Sequence, residues 1–297
     1  MPKVETVDTP ERVEVDTQDK LPSILDPYVS LGLDLIWDGG NHASADCPWC
    51  GNDKGKFSIN VESGLWRCWV CAEGSEGSGG NIYTFLNSLL AESVSSTSTK
   101  ALEFLRDHRG FESIDTLRHW NVCLSRITGD WLVPGFNHES KLVNLYRYNQ
   151  MRALFSTKGL NHGLFGTPHK IKEGPVYLCE GPWDALALWE ILKAKEEEAS
   201  VVAVPGCNVF EGVWYKVFSD RIVNILFDND HPTDKMIEKN PNAEPGAFKG
   251  LKRVASILLA SPKPPKEVNC LFWGDKGYDP KLKSGLDVRD ILQRGIS

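Results

Sequence analysis

No run in this 297-residue sequence is apolar for anything near the roughly 18–20 residues that a helix needs to cross a bilayer, so a helical membrane protein is excluded. The first twenty residues, MPKVETVDTPERVEVDTQDK, lack the apolar stretch of a secretory signal. Their six acids outnumber Lys3, Arg12 and Lys20, and a solvated, disordered leader is expected over residues 1–20. A cytoplasmic chain is the reading that follows. Basic charge is not in excess either: 33 Lys and Arg face 40 Asp and Glu, for a net charge of −7. That balance argues against a protein that coats nucleic acid through bulk electrostatics, although a local basic strip would be enough for contact. No Gly-x-x-x-x-Gly-Lys-Ser/Thr loop occurs, which excludes a motor of the phosphate-loop class. No internal repeat is present.

Cysteine, by contrast, is clustered. Four of the eight fall within CPWCGNDKGKFSINVESGLWRCWVC, as Cys47-x2-Cys50-x17-Cys68-x2-Cys71. In a reducing compartment paired cysteines at short spacing favour metal over disulfide. Each Cys-x-x-Cys turn aims two sulfurs at one centre, and two such turns complete a tetrahedron around a structural Zn²⁺. With all four positions filled by protein, this zinc would do no chemistry. Composition leaves two readings of the ribbon open. It is either a staple for a small subdomain, or a small sheet of KFSINV and LWRCWV whose exposed face bears Lys54, Lys56, Trp66 and Arg67. Basic and aromatic groups together suit phosphates and stacked bases. Cys123, Cys179, Cys207 and Cys270 are scattered and read as buried small hydrophobes.

The ribbon subdomain is expected over residues 21–92, with a helical segment from Leu21 to Trp37 before the cysteines. A second helix, in NIYTFLNSLLAE, follows the Gly-rich turn EGSEGSGG. The Ser/Thr run SVSSTST at 93–99 reads as a flexible linker. Residues 100–174 mix the helix ALEFLRDHR with strands such as WLVPGF and LVNLYRY. Within them, residues 141–173 carry Lys141, Arg147, Arg152, Lys158, Lys170 and Lys172 against the single acid Glu173, interleaved with Tyr146, Tyr148, Phe155 and Phe165. A solvated surface is one explanation. A groove for template backbone and nucleotide triphosphate is the one favoured. From 175 to 273 strands alternate with helices: PVYLCEG, then PWDALALWEILKAKEEE, SVVAVPG, RIVNILFDND, GAFKGLKRVASILLA and KEVNCLFW. That alternation means a parallel, helix-covered sheet. Residues 274–297 form a short tail in which GLDVRDILQRG reads as one closing helix.

The acids of the parallel unit stand at strand ends. Glu180 ends the first strand, Asp184 opens the next helix, and Asp228 and Asp230 end the third strand. Strand carboxyl ends converge on one edge of such a sheet, so Glu180, Asp228 and Asp230 should meet in space. Carboxylates gathered in one pocket repel unless a cation neutralises them, and hard oxygen ligands select Mg²⁺ or Mn²⁺.

The segments VYLCEGPWDALALWE, VVAVPG and ILFDND resemble the TOPRIM domain of DnaG-type primases, type IA and II topoisomerases and some nucleases. CPWC, KFSINV, WRCWVC and GGNIYTFL resemble the zinc-binding domain of DnaG-type and phage primases, with four cysteines as in phage primase–helicases. The segment from Lys141 to Lys170, with its closing Leu-Phe-Gly, resembles the basic subdomain that precedes TOPRIM in them. Together these cover roughly residues 40–260 in the family's order. The resemblance implies a multidomain α+β and α/β chain: a zinc ribbon, a mixed α+β basic subdomain of an RNA polymerase core, and a TOPRIM-type domain with a parallel central sheet. It implies synthesis of short RNA primers from ribonucleoside triphosphates on a single-stranded DNA template, in what would be phage replication in a bacterial host cytoplasm. Asp228 and Asp230 would hold the divalent metals. Glu180 would be a general acid/base or further metal ligand, with Asp184 in support. Arg147 and Lys158 match the family's basic positions and would offset phosphate charge, with Arg152 a looser match. Lys56, Trp66 and Arg67 would choose the initiation site. A metal-dependent TOPRIM nuclease, or a non-catalytic module that binds single-stranded DNA or loads a helicase, are the competing expectations. Two departures from the family stand out. No helicase motor is fused here, which implies a separate replicative helicase or a chain working alone. Residues 231–246 also form an insertion beside the expected metal site.

Overall fold

A computed structural model describes residues 21–51, 53–73, 78–150, 154–166, 174–197 and 199–290. The expected leader, Arg152, Lys170, Lys172, Glu173 and the end of the closing helix lie outside these residues. Among the described residues no helix is long and apolar enough to cross a membrane.

The chain begins with a short helix, α1 (Asp26–Ser30), preceded by one 3₁₀ turn. Helix was expected as far as Trp37, but Gly32, with φ +96, closes the segment early. Strands β1 (His42–Ala45), β2 (Phe57–Asn60), β3 (Trp66–Cys68) and β4 (Gly79–Gly80) then form an antiparallel sheet in sequential order. Its inner face is aromatic: Phe57 stacks on Trp66 at 5.6 Å between centroids, and Trp49 lies 5.0 Å from Trp66.

Helix α2 (Ile82–Ser96) closes over that face. Asn81 caps it, its Oδ1 accepting from the backbone N–H groups of Tyr83 and Thr84 at 3.0 and 3.1 Å. The Ser/Thr run at 93–99 is therefore not the flexible linker expected from its composition. Its first four residues are the last turn of α2, and Ser93 is fully buried. Thr97 Oγ1 donates to the Ser93 carbonyl and accepts from Leu124 N. Ser98 caps the next helix, α3 (Thr99–Arg109), by accepting from Ala101 N. Hydroxyls that read as linker chemistry serve here as helix caps.

Helix α4 (Ile114–His119) leads into a three-stranded antiparallel sheet of β5 (Cys123–Leu124), β6 (Trp131–Phe136) and β7 (Leu142–Tyr148). Every residue of β6 is buried, because the sheet is covered on both faces. Leu132 and Leu145 join the apolar cluster of the ribbon and α2, while Trp131, Val133, Tyr146 and Tyr148 join the cluster on the other side. The sheet is thus a wall shared by two cores.

The remainder is the parallel unit: β8 (Val176–Cys179), α5 (Pro182–Ala194), β9 (Ser200–Ala203), α6 (Tyr215–Phe218), β10 (Ile222–Leu226), α7 (Asp234–Lys239), α8 (Gly246–Leu259) and β11 (Glu267–Leu271). The strands lie in the order β11-β10-β8-β9, all parallel. Cys179, Val201 and Ala203 face α5, whereas Val176, Leu178 and Val202 face α8. Burial on both faces explains why β8 and β9 read as unbroken apolar runs. The Leu-Phe-Gly segment meets this sheet directly, through a bridge between Phe165 and Ala203. Gly166, at φ +88, is needed there, since a Cβ would lie 2.9 Å from the Val201 carbonyl oxygen. The 231–246 insertion contains α7, which buries no side chain.

Helix α5 is fixed to α4 by one carboxylate. Glu190 accepts from Ser113 N at 2.8 Å, Thr116 Oγ1 at 2.7 Å and Glu112 N at 2.9 Å. Glu190→Ala leaves those donors without their acceptor and is expected to cost about 1–3 kcal/mol, measured by urea unfolding.

Candidate metal centres and the acid pocket

The four ribbon cysteines come together as the spacing requires. Their sulfurs all lie within 4.8 Å of one another, the one such group of potential metal ligands among the described residues. Cys47 and Cys71 are 3.8 Å apart at Sγ, and Cys50 and Cys68 are 3.7 Å apart. Thiolates about 2.3 Å from a tetrahedral Zn²⁺ are separated by about 3.8 Å, so the cluster has the dimensions of a structural zinc site. Without a metal, burial pushes the Cys47 thiol up to about 11, which is the state a zinc ion would reverse.

Trp66 is not on the exposed face where stacking was expected. It is 3% exposed, packed among Trp49, Phe57 and Phe85, with Nε1 donating to the Asn81 carbonyl and Thr84 Oγ1. The cause is strand alternation: Cys68 points inward to the metal, so Trp66, two residues earlier, does too. Arg67 between them is exposed, and so is Lys56. The outward aromatic is Trp69, 52% exposed, with the Arg67 guanidinium 4.2 Å from its ring centroid. Beside them His42, Ser58, Asn60, Ser63 and Leu65 line an open groove of about 630 Å³.

The second centre lies at the carboxyl edge of the parallel sheet. Glu180 follows β8, and its carboxylate accepts from the backbone N–H of Cys207 at 3.3 Å and of Asp228 at 3.4 Å. Asp184, in the first turn of α5, is 7% exposed and accepts from Arg289 N at 3.5 Å. Burial and the nearby Asp287 push its carboxyl up to about 7, against the opposing pull of Arg289 and Arg109. Asp228 is pushed up to about 9 by burial and then by Asp184, Glu180, Asp287 and Asp230. Glu180 is raised by burial and by Asp230. The structure thus joins all four acids expected from the sequence and adds a fifth, Asp287. That residue stands in GLDVRD, where only a closing helix was expected. Its Oδ1 accepts from Asp290 N, as a helix cap does, and its Oδ2 pairs with Arg289 at 2.9 Å.

Carboxylates gathered at one sheet edge repel one another, and their hard oxygens are donors for Mg²⁺ or Mn²⁺. No three of them bring oxygens within 4.8 Å of one another, so they are less closely gathered than the cysteine sulfurs.

The basic positions are placed differently. Lys158 Nζ lies 3.1 Å from Asp26 Oδ2, and Lys158 N donates to Ser30 Oγ, so this residue sits against α1. Arg147 pairs with Asp130 at 3.5 Å, and its buried Nε meets no acceptor among the described residues. Lys141 pairs with Glu139. Among the described residues each of these three basic side chains has an acidic partner from outside the strip, near in sequence for Lys141 and distant for Lys158. Arg109, which sequence reasoning missed, connects this subdomain with the pocket. Its guanidinium lies 4.7 Å from the Trp183 ring and 5.5 Å from that of Tyr148, beside Asp184.

The solved structures with similar folds include three primases. The zinc-binding and RNA polymerase domains of the Aquifex aeolicus primase share 16% identity, over 94% of this chain and 81% of that one, with a TM-score of 0.47. The primase fragment of the bacteriophage T7 primase-helicase shares 17%, over 88% and 95%, with a TM-score of 0.44. The DnaG catalytic core shares 11%, over 72% and 76%, with a TM-score of 0.49. The solved structures that this chain resembles are primases. No family model matches the chain, and no curated protein sequence does.

Proposed function

We propose that this chain is a DNA primase that joins ribonucleotides on a single-stranded DNA template. The feature that supports the reading is the grouping of Glu180, Asp228 and Asp230, with Asp184 and Asp287 nearby, at the carboxyl edge of a parallel sheet, where the Glu180 carboxylate accepts from Asp228 N. The four-thiolate ribbon ahead of it in the same chain adds support.

In this reading Asp228 and Asp230, with Glu180 and Asp287, hold Mg²⁺ or Mn²⁺. Such an ion, when bound, offsets triphosphate charge and stabilises displacement at phosphorus. Glu180, whose carboxyl is raised by burial and by Asp230, serves either as that further metal ligand or as the base that takes a proton from the attacking 3′-hydroxyl. Asp184 is held by the backbone of Arg289 and flanked by Arg109, and it orients the pocket from α5. Lys158 is exposed, and a surface ion pair such as the one it makes with Asp26 is worth about 0–1 kcal/mol, so the lysine can exchange that carboxylate for a phosphate. Arg147, whose buried Nε meets no acceptor among the described residues and which lines a small cavity with Asp130, Asn149 and Phe155, is assigned to the same polyphosphate or to template. On the ribbon, Arg67, Lys56 and Trp69 present the charged and stacking surface for template, while Trp66 supports it from within.

With single-stranded templates, the four ribonucleotides and Mg²⁺ or Mn²⁺, the purified chain is expected to make short oligoribonucleotides whose start depends on template sequence. Cutting of a labelled strand with no nucleotide incorporation would instead identify a nuclease.

A further inference from the structure

Residues 273–287, after the last strand, return across the acid-bearing loop at 227–231. At one end Trp273 Nε1 donates to the Phe227 carbonyl at 2.6 Å. At the other end, Asn229 and Leu286 form an antiparallel bridge, with Asn229 N donating to Leu286 O at 2.8 Å and Gly285 N to Asn229 O at 3.0 Å. Between them His231 N donates to Ser284 Oγ at 3.0 Å, and the His231 ring contacts the Asp279 carbonyl at 3.1 Å and tilts against Tyr278.

The centre of this strap is the side chain of Asn229, which is fully buried between two partly exposed acids. Its Oδ1 accepts from Asp279 N at 2.8 Å, and its Nδ2 faces the carbonyls of Asp279 and Lys283, each at 3.3 Å. One amide therefore reads both polarities of the strap backbone, which neither a carboxylate nor a hydrocarbon can do. The bridge partner Leu286 is followed directly by Asp287, so the same contacts that hold Asn229 bring the fifth carboxylate near the acid loop.

We propose that Asn229 is a positioning residue that clamps the 273–287 strap onto the acid loop and so fixes Asp228, Asp230 and Asp287 relative to one another for cation binding. The physical need is plain. Like charges at successive strand ends repel, and a loop carrying two of them would spread unless something rigid held it. A neutral amide with its hydrogen bonds filled supplies that rigidity without adding charge. Partners of this kind orient the ligands behind which they stand. The inference rests on the acid pocket being a divalent-cation site, as the proposed function requires.

The test is Mn²⁺ binding by the full zinc-loaded chain, followed through the electron paramagnetic resonance signal of free Mn²⁺, with no nucleotide present. Wild type is expected to show a site that Asp228→Ala removes. Asn229→Ala is expected to weaken it roughly tenfold, the lower end of what such partners contribute. Ser284→Ala, which removes only the acceptor of His231 N, is expected to weaken it by less and in the same direction. An asparagine with a purely structural role would lower the urea midpoint and leave the Mn²⁺ affinity of the folded chain unchanged, and that result overturns the inference. If Asn229→Ala does not fold, unchanged affinity in Ser284→Ala overturns it. A wild type with no Mn²⁺ site at all fails at an earlier step, taking down the proposed function together with this inference.

Discussion

Stripping the ribbon of metal, by a strong chelator or by Cys68→Ser, is expected to unfold more than the ribbon. Binding of structural zinc to small cysteine domains is worth apparent values of about 10–16 kcal/mol, and the four sulfurs gathered here within 4.8 Å of one another are arranged for such an ion. The effect should not stop at β4. The ribbon residues Phe57, Ile59 and Trp66 share one apolar cluster with Leu132, Phe136, Leu142 and Leu145 of the three-stranded sheet. Loss of the ribbon would leave that face of β6 and β7 covered only in part, by α2. Hydrogen exchange should then show lost protection at amides within 131–148 together with 57–68, while strands β8 to β10 stay protected. Unchanged protection in β6 and β7 after metal removal would mean that the two units fold independently.

The second large effect separates two tryptophans three residues apart. Trp66 is enclosed by aromatic rings and donates from its indole N–H, so Trp66→Ala should cost about 3–5 kcal/mol of stability. Trp69→Ala removes an exposed ring whose one marked contact is Arg67, and should cost under about 1 kcal/mol. On a library of short templates the order reverses. Trp69→Ala should weaken binding and blur the preferred start site at unchanged stability, since base stacking on an aromatic is worth about 1–3 kcal/mol. Urea unfolding and fluorescence binding of labelled single strands measure the two arms. A Trp69→Ala variant that binds every template as wild type does would return the ribbon to a purely stapling role.

The parallel unit was the most legible part of the sequence. Strands buried on both faces leave continuous apolar runs such as VYLC and SVVA, and strand-end acids converge by topology alone, which is why Glu180, Asp228 and Asp230 could be grouped across forty-eight and more residues. Trp66 was legible in principle. Once Cys68 is a metal ligand, the period of two along a strand turns Trp66 inward, and aromatic content alone gave the opposite placement. The Ser/Thr run misled for a different reason: serine and threonine favour linkers and helix caps alike, and the choice depends on Leu124 lying beside Thr97. Pairings such as Lys158 with Asp26 join residues far apart in the chain, and no local pattern announces them. Asp287 stands in the same position. Its short Asp-x-x-Asp cap spacing marks a helix start, while its place near the acid loop depends on the strap that returns it to the sheet edge.

The central claim is that the acids at the sheet edge make phosphodiester bonds. Incorporation of a labelled ribonucleotide on single-stranded DNA, compared between wild type and Asp228→Ala combined with Asp230→Ala, tests it most directly. The account predicts metal-dependent oligoribonucleotides from wild type and no product above background from the folded, zinc-loaded double variant. Full synthesis by that variant would contradict it.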